Sequence, residues 1–161
     1  MNAIEMEQQR ETARSINAQA TVLQSEVVQG RDKLDTFRAF VGTSQRQAIY
    51  SAMQGEEGAF FRGKVRGLIE LFTTMPKTYE QDGLGENAIA HLHYFTGGCD
   101  WYITERDVDD DGEGQIQAFG SANLGYGAEL GYISIKEIIG CGAELDLYFT
   151  PCTLASLPKA A

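Results

Sequence analysis

The sequence predicts an α+β fold, with helices first and an antiparallel β-meander of about five strands after them. Three observations lead there. No proline occurs before Pro76, and the apolar residues of that first half recur at helical spacing. From Ala88 the apolar period changes to two, in short runs joined by brief links. Segregated helices and strands, rather than alternating ones, are the mark of α+β. The 161 residues, 43% of them hydrophobic, suffice for one domain plus an extension.

The first helix is set by Met6, Gln9, Ala13, Ile16, Ala20, Leu23, Val27, Gly30, Leu34, Phe37 and Val41, whose spacing alternates three and four. This is a heptad seam, apolar except at Gln9 and Gly30. Gly30 costs about 1 kcal/mol relative to alanine in a helix, so the segment is either one long helix or a helical hairpin. The seam suits packing on the protein's own body or a coiled coil with a second copy, a homodimer through residues 6–41. We assign 1–43 as a helical extension and 44–161 as an α+β domain, with helices in 44–75 and a sheet module in 88–151.

Ser44 is expected to cap a second helix over "QRQAIYSAM". A third follows Gly55, with Phe61, Val65, Leu68 and Phe72 on one face and Glu56 and Glu57 at its positive end. Arg62, Lys64 and Arg66 form a small basic cluster there, read as a solvated face. "KTYEQDGLGEN" reads as a loop. Strands are expected over "AIAHLHYFT", "WYITERD", "QIQAFGSANL", "AELGYISI" and "AELDLYFTP". A short helix capped by Ser134, with Glu137 completing a capping box, precedes the last strand.

The net charge is −10, and it is unevenly placed. Residues 1–87 hold 12 acids and 10 bases, whereas residues 88–161 hold 11 acids and 3 bases, a balance of −8. Such a field opposes direct binding to nucleic acid; it serves either solubility or attraction to a basic partner. The three cysteines, Cys99, Cys141 and Cys152, form no C-x-x-C and indicate neither a disulfide framework nor a zinc knuckle. The N-terminus has no signal-peptide pattern and no apolar run approaches membrane-spanning length, so the expectation is a cytoplasmic protein without a membrane partner.

The blocks "HYFTGGCDWYITERD", "QAFGSANL", "AELGYISIKEI" and "AELDLYFTP" resemble the bacterial family catalogued as domain of unknown function 2958. The matching positions are Phe95, Trp101, Thr104, Glu105, Asp107, Phe119, Gly120, Glu129 to Tyr132, Ser134, Glu137, Asp146, Tyr148, Phe149 and Pro151. The resemblance spans about residues 90–152. It departs from the family pattern at Leu145, where an arginine is usual, and leaves the N-terminal helices unexplained. It implies a gene of phages, plasmids or integrative elements, with roles in element maintenance or in countering host defence, and carries no activity.

The run Asp107-Val108-Asp109-Asp110-Asp111-Gly112 opens like a calcium loop, but its twelfth position is Ala118 rather than glutamate, and strands rather than helices flank it. A hairpin turn presenting Asp107, Asp109, Asp110, Asp111 and Glu113, with Trp101 supplying apolar contact, reads instead as a partner-binding surface. His91 and His93 share a strand face at i and i+2, and Glu105 across the hairpin is the third candidate ligand for a metal. Alternation places Trp101, Ile103, Glu105 and Asp107 on one face of their strand. Glu105 and Glu129 are structural polar candidates that need a partner if buried, or else raised-pKa carboxylates of a functional pocket, and Ser134 is a structural candidate as a cap. No catalytic triad, phosphate loop or cofactor motif emerges. The expected function is a non-enzymatic acidic binding protein of mobile-element origin. It inhibits or modulates a host nucleic-acid-handling defence, of antirestriction or anti-CRISPR type, by contacting a protein or protein–nucleic acid complex with a basic surface. The alternatives are a metal-dependent enzyme or metalloprotein using His91, His93 and Glu105, and an oligomerising accessory protein.

Overall fold

A computed structural model of the chain describes residues 3–109 and 113–158. Three helices come first: α1 (Ala3–Phe40), α2 (Thr43–Gln54) and α3 (Gly58–Thr74). They are followed by β1 (Ile89–Ala90), β2 (Leu92–Thr96), β3 (Cys99–Glu105), β4 (Ala118–Asn123), β5 (Ala128–Ile133), α4 (Ile135–Gly140), β6 (Glu144–Leu145) and β7 (Cys152–Thr153). The main sheet is antiparallel with order β5-β4-β3-β2-β6, and β1 pairs with β7 in a two-stranded sheet. This is the expected α+β architecture.

The chain divides into two units, residues 1–35 and 36–161. In the first, α1 runs through Gly30 without interruption, and every residue from 4 to 35 is exposed. The heptad positions Met6 to Leu34 are all among these exposed residues. The boundary falls earlier than the expected 43/44 because Phe37, Phe40 and Val41 belong to the core of the second unit.

That core lies between the helices and one sheet face. Phe40 stacks on Phe72 at 4.3 Å between ring centroids. Ile49, Leu68 and Met75 pack with Leu92, Tyr94, Ile103, Ala118, Ile133, Ile135 and Leu145. Tyr94 is fully buried, and its hydroxyl donates to the carbonyl of Phe40 at 2.6 Å, satisfying one of the open carbonyls at the end of α1. Burial pushes the Tyr94 phenol well above its ordinary range, so it stays a donor.

Four expectations are corrected. The second helix starts at Thr43 behind Gly42, so Ser44 lies inside the first turn and caps nothing. The "AIAHLHYFT" strand breaks at His91, whose N–H turns to the carbonyl of Ile103. The third predicted strand begins only at Ala118. "AELDLYFTP" keeps just two paired residues, because the Asp146 carboxylate accepts the Tyr148 N–H and turns the chain. Ser134 does cap α4, accepting the Glu137 N–H at 3.2 Å.

Candidate functional site

Strand β3 is built around an irregularity that places the site. Ile103 pairs with Gly120 and Glu105 with Phe119, so Thr104 is an extra residue opposite a continuous partner strand. Such a bulge reverses the alternation beyond it. Trp101 and Ile103 face the core, but Glu105 emerges on the opposite face beside Phe119 and its cross-strand neighbour Tyr132. The expected common face for Trp101, Ile103 and Glu105 is thereby overturned. Gly120 permits the bulge: a Cβ there would lie 2.0 Å from the Tyr102 carbonyl oxygen.

Glu105 is 3% exposed. Its oxygens accept the backbone N–H groups of Tyr79, at 3.0 Å, and Gln81. The loop bearing those donors is laced to the sheet. The Gln81 amide donates to the carbonyls of Ile89 and Thr104 and accepts the Ile89 N–H, imitating a strand partner. The Thr78 hydroxyl donates toward the carbonyls of Arg106 and Gln117 and accepts the Val108 N–H. Held this way, Tyr79 has φ 82°, the one positive φ among the described non-glycine residues. A bulky residue in that region is strained, and such strain concentrates at functional sites.

Between this loop and the sheet lies a cavity of about 460 Å³. Thr104 and Glu105 contribute from β3, Phe119 from β4, Leu130 and Tyr132 from edge strand β5, and Tyr79 and Asp82 from the loop. The Tyr132 hydroxyl donates to the Tyr79 hydroxyl at 3.2 Å. That bond, then burial and the nearby Tyr79, Glu105 and Asp82, raises the Tyr132 phenol above its ordinary range. The two tyrosines line the cavity beside the Glu105 and Asp82 carboxylates. Glu105 already accepts two backbone N–H groups there.

The remaining candidate residues are dispersed. Asp107 is 4% exposed and accepts the N–H groups of Asp109, Ile116 and Gln117 at 2.9, 3.1 and 2.8 Å. These bonds tie its carboxylate to backbone N–H groups close by in the chain. Trp101 is partly buried and packs against the core. Asp109 and Glu113 are exposed, with Lys136 Nζ 3.8 Å from Glu113. Asp110 and Asp111 lie outside the described residues. Glu129 is exposed on β5 opposite Ala122.

His93 lies between two carboxylates, Nε2 at 2.8 Å from Asp100 and Nδ1 at 3.3 Å from Asp146, and stacks on Tyr102 at 4.5 Å. Burial, then Asp100, Cys152 and Asp146, raises the Tyr102 phenol. With both ring nitrogens so engaged, and Glu105 bound to the 79–81 backbone, the proposed His91–His93–Glu105 metal set does not converge. Among the described residues no group of three or more His, Cys, Asp or Glu side chains is arranged to hold a metal. In the basic cluster, Arg62 donates to the Met53 carbonyl and Lys64 lies 4.9 Å over the Tyr148 ring. Both are engaged within the fold rather than merely solvated.

Comparisons with protein-family models, curated proteins and solved structures find no match. Tyr79 and Asp82 were invisible to sequence reasoning, because a tyrosine in a turn-rich segment carries no sign of a left-handed backbone. Phe119 and Tyr132 drew notice only as positions of a resemblance, without a role. The one available signal was Gly120 following Phe119 inside a strand, a pattern that marks bulges and close backbone approach.

Proposed function

We propose that this is a non-enzymatic binding protein that presents anionic surface to a basic protein partner. The observation that carries the reading is the charge asymmetry. Residues 88–161 hold the −8 excess, and Asp109, Glu113, Glu129, Glu137 and Glu144 are all exposed. Surfaces of this kind occupy grooves built for phosphates and steer encounter electrostatically. The resemblance to a mobile-element family points to a host nucleic-acid-handling defence, of restriction or CRISPR type, as the target. The exposed acids carry this reading, while Asp107 and Trp101 are also engaged within the fold.

Capture from host lysate at low and high salt tests this reading. A partner is expected at low salt and should be lost as screening shortens the Debye length. Changing Asp109, Asp110 and Asp111 together to lysine is expected to weaken capture about tenfold or more without unfolding the protein. Capture indifferent to both would end the proposal. A second reading, self-association through α1, is favoured by the exposure of every heptad position from 6 to 34, and it is compatible with the first.

A further inference from the structure

The cavity over Glu105 has a negatively charged lining. Its lining includes two carboxylates, Glu105 and Asp82, and no basic side chain. A carboxylate 3% exposed loses hydration that two backbone N–H groups replace only in part, since a carboxylate has about four acceptor sites. An anion would meet like charge there. A neutral ligand would leave the carboxylates uncompensated. A bare metal ion lacks a converging ligand set among the described residues. An organic cation answers both the charge and the walls, because the aromatic residues Tyr79, Tyr132 and Phe119 line the cavity and aromatic rings attract cations. A guanidinium suits the site better than an ammonium. It is planar, stacks on rings, loses less hydration, and matches the two oxygens of a carboxylate with paired donors. The volume of about 460 Å³ lies within the range of small-ligand sites.

We propose that this cavity is a receptor for the guanidinium of an arginine side chain on a partner protein. Glu105 and Asp82 supply the charge and Tyr79, Phe119 and Tyr132 the walls. The inference rests on the acidic-binding reading and deepens it. It identifies one anchor residue on the basic surface and moves the centre of contact from the 107–113 loop to the face carrying β5.

The test uses the full chain with N-acetyl-arginine amide as probe. The neutral isostere N-acetyl-citrulline amide and N-acetyl-lysine amide are the comparators, and binding is followed by ring proton shifts. Saturable shifts at Tyr79, Phe119 and Tyr132 with the arginine probe, about tenfold stronger than with either comparator, are expected. Leu130 is half exposed on an edge strand, so Leu130→Trp fills the cavity from its rim without entering the core. Both Leu130→Trp and Asp82→Asn are expected to weaken the arginine probe about tenfold with unchanged circular dichroism. Equal binding of citrulline or lysine, or unaltered arginine binding in Leu130→Trp, would overturn the assignment. If the arginine probe fails while salt-sensitive partner capture persists, the pocket falls and the acidic-binding reading stands. If the probe binds and no partner is captured, the cavity takes a guanidinium, but the acidic-binding reading falls and the partner protein with it.

Discussion

Tyr79 shows how much depends on a single backbone angle. Its φ of 82° is held by the Glu105 and Gln81 hydrogen bonds, and its ring is 64% exposed, so the fold gains little from the side chain. Tyr79→Gly relieves the strain, worth about 1 kcal/mol, and removes one wall of the cavity. The expected outcome is a melting temperature no lower than that of the parent, with arginine-probe binding lost. A clear fall in melting temperature would assign Tyr79 to the fold instead. Gly120 is the opposite case. With a Cβ placed 2.0 Å from the Tyr102 oxygen, Gly120→Ala must displace backbone. It is expected to cost about 1–3 kcal/mol in denaturant unfolding and to abolish the cavity. His91 offers a pH test. Burial lowers its pKa below 6.5, so below that value the unfolded state binds the extra proton first. Stability should fall as pH drops from 6.5 toward the folded-state value. His91→Gln should flatten that part of the pH–stability curve, measured against the parent protein; an unchanged slope would contradict the assignment.

At the scale of elements, two glutamines stand in for missing strands. Gln45 takes both the carbonyl and the N–H of Leu145, closing the outer edge of β6, as Gln81 does for Ile89. Covered edges discourage pairing with other chains. Helix α1 lacks such cover over residues 4–35, and its charge pattern selects a partner orientation. With Met6 at heptad position a, Glu5 and Glu26 occupy g, and Arg10 and Arg31 occupy e. In a parallel, in-register pair Glu5 meets Arg10 of the other copy and Glu26 meets Arg31. Glu26→Arg is expected to weaken dimerisation about tenfold by sedimentation, and adding Arg31→Glu in the same chain should restore it. Restoration is particular to the parallel register, so its failure would exclude that arrangement.

For the whole molecule, residues 4–35 are exposed throughout and the core begins at Phe37. A chain starting at Thr36 should therefore unfold in one cooperative transition and remain monomeric. Loss of that transition would show that the removed part of α1 contributes to the domain. Helix and strand periodicity, the Ser134 cap, the charge asymmetry and the α+β class were all legible in the residues, because each depends on neighbours close in the chain. Register was not. The sequence alternation of β3 is regular on paper, yet one extra residue at Thr104 sends Glu105 to the opposite face, and only the approach of Gly120 to the Tyr102 backbone shows it. The same limit hid the cavity, whose walls come from a loop near residue 80 and from strands near 105, 119 and 131. Local pattern determined which elements form and where charge accumulates. The tertiary structure decided which acids are solvated and which are clasped by backbone N–H groups, because desolvation depends on what packs across a sheet rather than on what lies beside a residue in the chain.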